Sequence, residues 1–370
     1  MISIWEQQSF LTSDVAIIGA GITGLSCAAS IKERNPRLKV VVLEKGILPS
    51  GASTKNAGFA CFGSLSELIE DQQELGAQRM VELVHKRQLG LKKTIQRLGK
   101  DVIDLQLKSG FELVFQDEVQ DEQIEAVNAL LLPIFQTPVF HLADKRITTF
   151  GFRKTNHLIE NKLEGQLDTG KLMSSLWNYC SQLGVQLFTG CEISDFFEEA
   201  EHVNLRSHSL SFRTKKLAVC TNAFARTLVP DLEDVNPGRG MVLMVDSDRP
   251  LPFEGTFHYE KGFYYFRDYY GRLIFGGGRN LDFKQEETLE FGINQKVKEK
   301  LISDLREIIL PDHELKIVME WSGIMAFGKT KEPIIQKVSD NVVVGVKLGG
   351  MGVAIGSLVG DEIAQLLLST

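Results

Sequence analysis

The sequence predicts an α/β fold of two domains, one a parallel sheet wound with helices, the other an α+β domain built on an antiparallel sheet. Three observations carry this expectation. A strand–turn–helix–strand unit opens the chain, segments of the same style return in the middle and at the end, and residues 240–280 switch to β character. The length of 370 residues suits roughly two domains of about 100–200 residues each.

Each element follows from its local pattern. Residues 14–18 (Asp-Val-Ala-Ile-Ile) are short, apolar and ended by Gly, as in a buried strand. A helix is expected over 23–34, stopped by Asn35-Pro36. Residues 39–44 (Lys-Val-Val-Val-Leu-Glu) make a second buried strand, parallel to the first because a helix joins them. A loop rich in Gly, Ser and Asn covers 46–64. Helical spacing then runs through 65–108, with Met80, Leu83, Val84, Leu91, Ile95 and Leu98 as apolar positions. Residues 111–115 read as a strand, and a helix with an acidic first turn starts at Asp121. From Asp168 the earlier style returns, with an amphipathic helix over 172–183 and strands at 185–188 and 217–220. The β region 240–280 carries turn signals at Lys261-Gly262 and Tyr270-Gly271. A helix is expected over 287–308. Residues 341–345 form a last strand that runs through a Gly-rich turn into a helix over 353–368. Both domains are therefore discontinuous: 1–85, 165–235 and 322–370 form one, 86–164 and 236–321 the other.

Composition narrows the function. A hydrophobic content of 43% and a charged content of 24% suit a soluble globular protein. A net charge of −7 argues against a nucleic-acid partner, which needs a basic face. The six Lys and Arg between Arg79 and Arg97 are interrupted by acids and apolar residues and read as a solvated helix face. Cys27, Cys61, Cys180, Cys191 and Cys220 are widely spaced and form no CxxC, and the histidines show no ligand spacing, so no metal is expected. No basic n-region precedes the first apolar run, and no apolar stretch reaches the ~18 residues of a membrane span. The expected location is the cytoplasm.

The chemistry starts at Gly19-Ala20-Gly21-Ile22-Thr23-Gly24. Gly19 permits the tight turn, Gly21 lets backbone approach a pyrophosphate, and Gly24 lets the helix pack on the strand. Free amides near Ile22 and Thr23 offer partial positive charge to phosphates. Glu44, with Lys45 after it, ends the second strand, where a carboxylate would accept hydrogen bonds from ribose hydroxyls. Alone, this Rossmann-type unit supports an adenine dinucleotide and does not separate FAD from NAD.

The following loop, Ser50-Gly51-Ala52-Ser53-Thr54-Lys55-Asn56-Ala57-Gly58-Phe59, resembles the D-amino-acid-oxidase-like (DAO) superfamily, glycine/sarcosine oxidase type. The resemblance implies FAD, with phosphate contact by Ser53 and Thr54 and with Asn56, Ala57 and Gly58 against the isoalloxazine. Asp168-Thr169-Gly170-Lys171-Leu172 resembles the family's DPxxL helix start, with Thr169 in place of Pro. In relatives the backbone at Ile193 meets the adenine, and the turn at Thr221-Asn222-Ala223 closes over the dinucleotide. Gly349-Gly350-Met351-Gly352-Val353 stands where relatives aim a helix N-terminus at the flavin pyrimidine ring, whose anionic reduced form that partial charge stabilises. The fold implied is a Rossmann-type FAD-binding domain with a second α+β substrate domain.

Substrate residues are less marked. Tyr259, Tyr264, Tyr265, Tyr269 and Tyr270 cluster around Arg267. Alternation puts Phe263, Tyr265 and Arg267 on one face of a strand and Tyr264 and Phe266 on the other. Arg267 could grip a substrate carboxylate with a bidentate fork, Tyr265 beside it; an aromatic-rich sheet with a surface Arg is the plain alternative. Arg279 and His258 are further candidates. Two departures from the resemblance stand out. Met325, in Trp321-Ser322-Gly323-Ile324-Met325-Ala326, replaces the carboxylate-binding Arg of a W-x-G-x-R-P stretch, and no Cys follows Cys220, so FAD is expected to be non-covalent. The expected reaction is oxidation of an amine or amino acid by hydride transfer to flavin N5, with oxygen or a quinone as electron acceptor. Oxidation of a 2-hydroxy acid or polyol and a non-enzymatic role with structural FAD are the alternatives.

Overall fold

The computed structural model describes residues 1–115, 121–199 and 201–369. Its first sheet is parallel at the centre. Thr12–Ile18 lies between Val40–Leu43 and Ser211–Val219, with Gln186–Phe188 outside the former and Val342–Val346 outside the latter. The antiparallel strand Ile334–Lys337 closes one edge. These central strands are apolar on both sides because both faces are covered. Helices Ile22–Arg34, Thr169–Gln182 and Gly352–Leu368 pack on one face. The hairpin of Ile193–Glu199 and His202–Ser207, with residues 223–235, covers the other.

The C-terminal helix lies in backbone contact with Ile22–Arg34, the helix after the glycine turn. A Cβ at Gly360 would fall 2.6 Å from the Thr23 carbonyl oxygen, so no side chain fits there. Across the same seam Ser30 donates to Asp361 at 2.7 Å, and Arg34 pairs with Asp361 at 2.8 Å. The two ends of the chain are thereby locked together beside the glycine turn.

The second sheet runs in the order 315–327, 236–247, 272–277, 264–269, 256–259, 110–114, 157–161, 140–142. It is antiparallel except where Thr256–Tyr259 pairs with Gly110–Val114. One face is an aromatic core. Phe257 and Phe266 stack at 4.7 Å, as do Tyr259 and Tyr264, and the Tyr259 hydroxyl donates to Asp304 at 2.8 Å. Tyr264 and Phe266 point into this core, leaving Phe263, Tyr265 and Arg267 for the opposite face. Tyr270 and Gly271 both take positive φ, as a two-residue hairpin turn requires.

Several expected boundaries move. The 65–108 region is two helices, Leu65–Leu75 and Ala77–Leu98, because Gly76 and Gly99 adopt positive φ and stop each run. Arg87 does not belong to a solvated face: it is fully buried, donating to the Phe62 carbonyl at 2.7 Å. The helix expected over 287–308 starts later, at Gln295, where the Asn294 side chain accepts from the Lys296 and Val297 amides. A short helix Phe283–Glu286, capped by Asp282, precedes it. Each sheet draws its strands from the segments expected for one domain, but the boundaries at 85/86 and 321/322 cut through Ala77–Leu98 and Leu315–Phe327. No helix among the described residues is long and apolar enough to cross a membrane.

Candidate active site

A cavity of about 900 Å³ runs past the C-terminal ends of the parallel strands and continues beneath the open face of the antiparallel sheet. The first part is where open α/β sheets bind ligands. It is lined by Gly19, Gly21, Ile22, Thr23, Glu44, Lys45, Ser53, Asn56, Ala57, Gly58, Ile193, Thr221 and Asn222, joined by Gly349 to Val353. Gly24 and Thr54 do not line it. Gly24 serves packing, since a Cβ there would sit 1.9 Å from the Gly19 carbonyl oxygen. Thr54 turns its hydroxyl to the Pro49 carbonyl at 2.7 Å, which removes it from the expected phosphate contact.

Backbone groups dominate this half. The Ile22 amide donates to Ser53 Oγ at 3.0 Å, placing Ser53 at the N-terminus of the helix after the glycine turn. Glu44 accepts from the Ala20 and Gly46 amides at 2.9 and 3.0 Å. The amides of Gly352 and Val353 open the C-terminal helix without a side-chain cap and have no acceptor among the described residues. Such a helix start carries partial positive charge.

The loop at 56–58 is held from three sides. Asn56 Oδ1 accepts from the Gly58 amide at 2.8 Å and from the Thr169 hydroxyl at 2.9 Å, while its Nδ2 donates to the Ala52 and Ser53 carbonyls. Its side chain is thus consumed in shaping the loop. The Thr at 169 makes this possible, since Pro has no hydroxyl. The third grip is Arg267. It is buried, and Nη1 donates to the carbonyls of Leu167, Ala57 and Gly58 at 2.8, 3.1 and 3.4 Å, with Nε on its neighbour Asp268. Arg267 is not part of the cavity wall. The expected carboxylate fork is therefore corrected: the guanidinium ties the substrate sheet to the loop, and its Nε and Nη1 meet main-chain oxygens.

Beyond the loop, side chains take over. One row crosses the antiparallel sheet in register: Glu112, His258, Tyr265, Gly276, Val242 and Trp321. Tyr265 and His258 line the cavity there and meet the Phe59 ring edge-on at 5.6 and 5.0 Å. Neither side chain makes a hydrogen bond to another described residue, and His258 Nε2 is buried without a partner. Burial lowers the His258 pKa, against a smaller opposite effect of Glu67, so the imidazole is neutral. Burial also holds the Tyr265 phenol protonated, raising it to about 12. Three buried carboxyls that sequence reasoning missed accompany this wall, and one of them, Glu67, itself lines the cavity. Glu164 accepts from the Phe62 and Gly63 amides, Glu67 from Ser64, and Glu112 from Ser66. Burial raises Glu164 to about 8 and Glu112 to about 7. Nothing in the local sequence marks Glu164 and Glu112, because their donors come from other segments, whereas Glu67 closes a local capping box with Ser64.

The family model described as FAD dependent oxidoreductase (DAO) matches residues 14–366. The chain belongs to the DAO family of FAD-dependent oxidoreductases. It is 21% identical to the probable oxidoreductase OrdL of Haemophilus influenzae, over 96% of this chain and 83% of that protein. Among solved structures, glycine oxidase from Geobacillus kaustophilus superimposes with a TM-score of 0.77 at 20% identity, covering 97% and 95% of the two chains. L-Proline dehydrogenase from P. horikoshii gives 0.77 at 16% identity, covering 97% and 94%. These structures share the DAO-family fold.

The cavity fits FAD. The hydroxyl of Thr221 is buried on its wall without a partner among the described residues, and the uncapped Gly352 and Val353 amides stand at its second glycine-rich turn. No group of three or more His, Cys, Asp or Glu suited to a metal ion occurs among the described residues.

Proposed function

We propose that this DAO-family enzyme oxidises the C–N bond of a small amine or amino acid held between the 56–59 loop and the Tyr265–His258 wall. The observation that carries the reading is the composition of that wall: an imidazole and a phenol, with no side-chain hydrogen bond among the described residues, beside an aromatic ring. Such a surface can hydrogen-bond a neutral amine without trapping it as an ammonium. FAD, when bound, would supply the two-electron acceptor for this oxidation, the hydride chemistry that turns an amine into an imine. This chain's residues do the positioning. Thr169 and Arg267 fix the 56–58 loop at one side, and the Gly352 and Val353 amides offer partial positive charge at the other.

The division of labour follows the two sheets. The parallel sheet with its helices forms the FAD-binding domain, and the antiparallel sheet the substrate domain, with boundaries at 98/99 and 327/328 instead of within elements. FAD is held non-covalently. Cys61 lines the cavity beside Met351, its sulfur 3.8 Å away, but burial pushes its thiol well above the ordinary range and disfavours the thiolate that attachment needs. Acid precipitation should therefore leave all the flavin in the supernatant.

The test is an anaerobic screen of amines, N-methyl amino acids, D-amino acids and hydroxy acids against the purified flavoprotein. Bleaching by nitrogen compounds supports the reading. Bleaching by hydroxy acids alone would replace it with alcohol oxidation, and no bleaching by any compound would leave FAD a structural role.

A further inference from the structure

We infer that Arg279 is the anchor for a substrate carboxylate, taking over from the next strand the task that position 325 cannot perform. The inference rests on the C–N reading above and names the substrate class within it, a carboxylated amine. Position 325 is Met. Residues 325 and 327 follow each other on one face of Leu315–Phe327, and both line the cavity. Arg279, just past the end of the strand Arg272–Gly277, lays its guanidinium 3.6 Å over the ring of Phe327. It thus brings a cation to the face where the sequence has a thioether.

The chemistry of Arg279 is that of a site awaiting an anion. It lines the cavity, half-buried among the rings of Phe263, Phe283 and Phe327. Among the described residues its side chain has no hydrogen bond and no ion pair. Removing a charge from water without a partner is costly, and burial alone lowers its pKa to about 10. The stacked rings leave the fork's edge for a ligand and hold it in one plane, which favours bidentate binding. Other cations along this end are differently placed. Lys331 pairs with Asp71 at 2.8 Å, Lys261 with Glu70 at 2.8 Å, and Lys329 is exposed. Lys55 has no acidic partner among the described residues either, but its ammonium lies 5.2 Å from the Phe291 ring.

Equilibrium titration of the oxidised holoenzyme tests this without turnover. Acetate and benzoate are the probes, acetamide and benzamide the uncharged controls, and the flavin visible spectrum is the readout. The carboxylates should perturb the flavin of the wild type, with Kd rising about 30-fold or more in Arg279→Met and less in Arg279→Lys, which keeps the charge and loses the fork. The amides should bind weakly and alike in all three proteins. Equal carboxylate affinity in wild type and Arg279→Met overturns the proposal. So does an equal loss for amides and carboxylates, a loss found in Lys55→Met and not in Arg279→Met, or no perturbation of the wild type by either carboxylate. Because no substrate is consumed, these results stand apart from whether any amine bleaches the flavin.

Discussion

The two halves of the cavity are built from different materials. The cofactor half is made of main chain: glycine turns, helix amides and a loop held by its own carbonyls. The substrate half is made of side chains projecting from one face of an antiparallel sheet. Main chain can be aimed only by local conformation, so its requirements appear as short motifs. Side chains on a sheet are brought together by register, so their neighbours in space lie far apart in sequence. Arg267 is where the halves meet: a substrate-sheet side chain whose donors serve the cofactor loop.

That contrast can be broken by substitution. Arg267→Met should give the largest effect, about 4 kcal/mol of stability, because carbonyls of Ala57, Gly58 and Leu167 lose a buried charged donor. The loss should appear as a lower Tm and as FAD released on dilution. If Tm held and only KM for acidic substrates rose, Arg267 would belong to the substrate half after all. Gly24→Ala should cost about 3 kcal/mol, since its methyl would press on the Gly19 carbonyl, and the protein should purify with little bound flavin.

A buried carboxyl sharpens the comparison through pH. Glu164 is raised to about 8 in the folded chain, from an ordinary value of 4.5, by burial first and by Glu67 in lesser part, with Arg87 and the Phe62 and Gly63 amides opposing. Below pH 4.5 both states bind the proton and stability is level. Between 4.5 and 8 the unfolded chain has lost it while the folded chain keeps it, so stability falls as pH rises. Glu164→Gln retains an acceptor for both amides. Its urea midpoint should fall less than that of the wild type between pH 5 and pH 8, by the equivalent of about 3 kcal/mol; parallel curves would refute the assignment.

Ser53→Ala removes the acceptor of the Ile22 amide and should cost about 1 kcal/mol, read as a modest rise in the Kd for FAD. Lys261→Ala should be the mildest change, about 0.5 kcal/mol or less in Tm terms, because its pair with Glu70 is largely solvated.

Legibility followed the same divide. The βαβ unit, the Ser53–Gly58 loop and the Gly349–Gly352 turn could be read directly, since a tight turn or a close helix approach demands particular residues at fixed spacing. The role of Arg267 could not: alternation placed it on the open face, as found, but its acceptors lie about 100 and 210 residues away. Helix limits failed where one residue decided them, as at Gly76 and Asn294. Thr169 looked like a mere departure from Pro, and its value lies in the hydroxyl that reaches Asn56.

The seam between Ile22–Arg34 and Gly352–Leu368 has a consequence for biosynthesis. The glycine turn leaves the ribosome early, but the helix that packs on it and presents the Gly352 amides is translated more than 300 residues later. At about 5–20 residues per second, tens of seconds separate the two. During that interval the apolar flank of Ile22–Arg34 has no cover and the cofactor no far wall. Both walls of the cofactor site therefore exist together only once the C-terminal helix has docked.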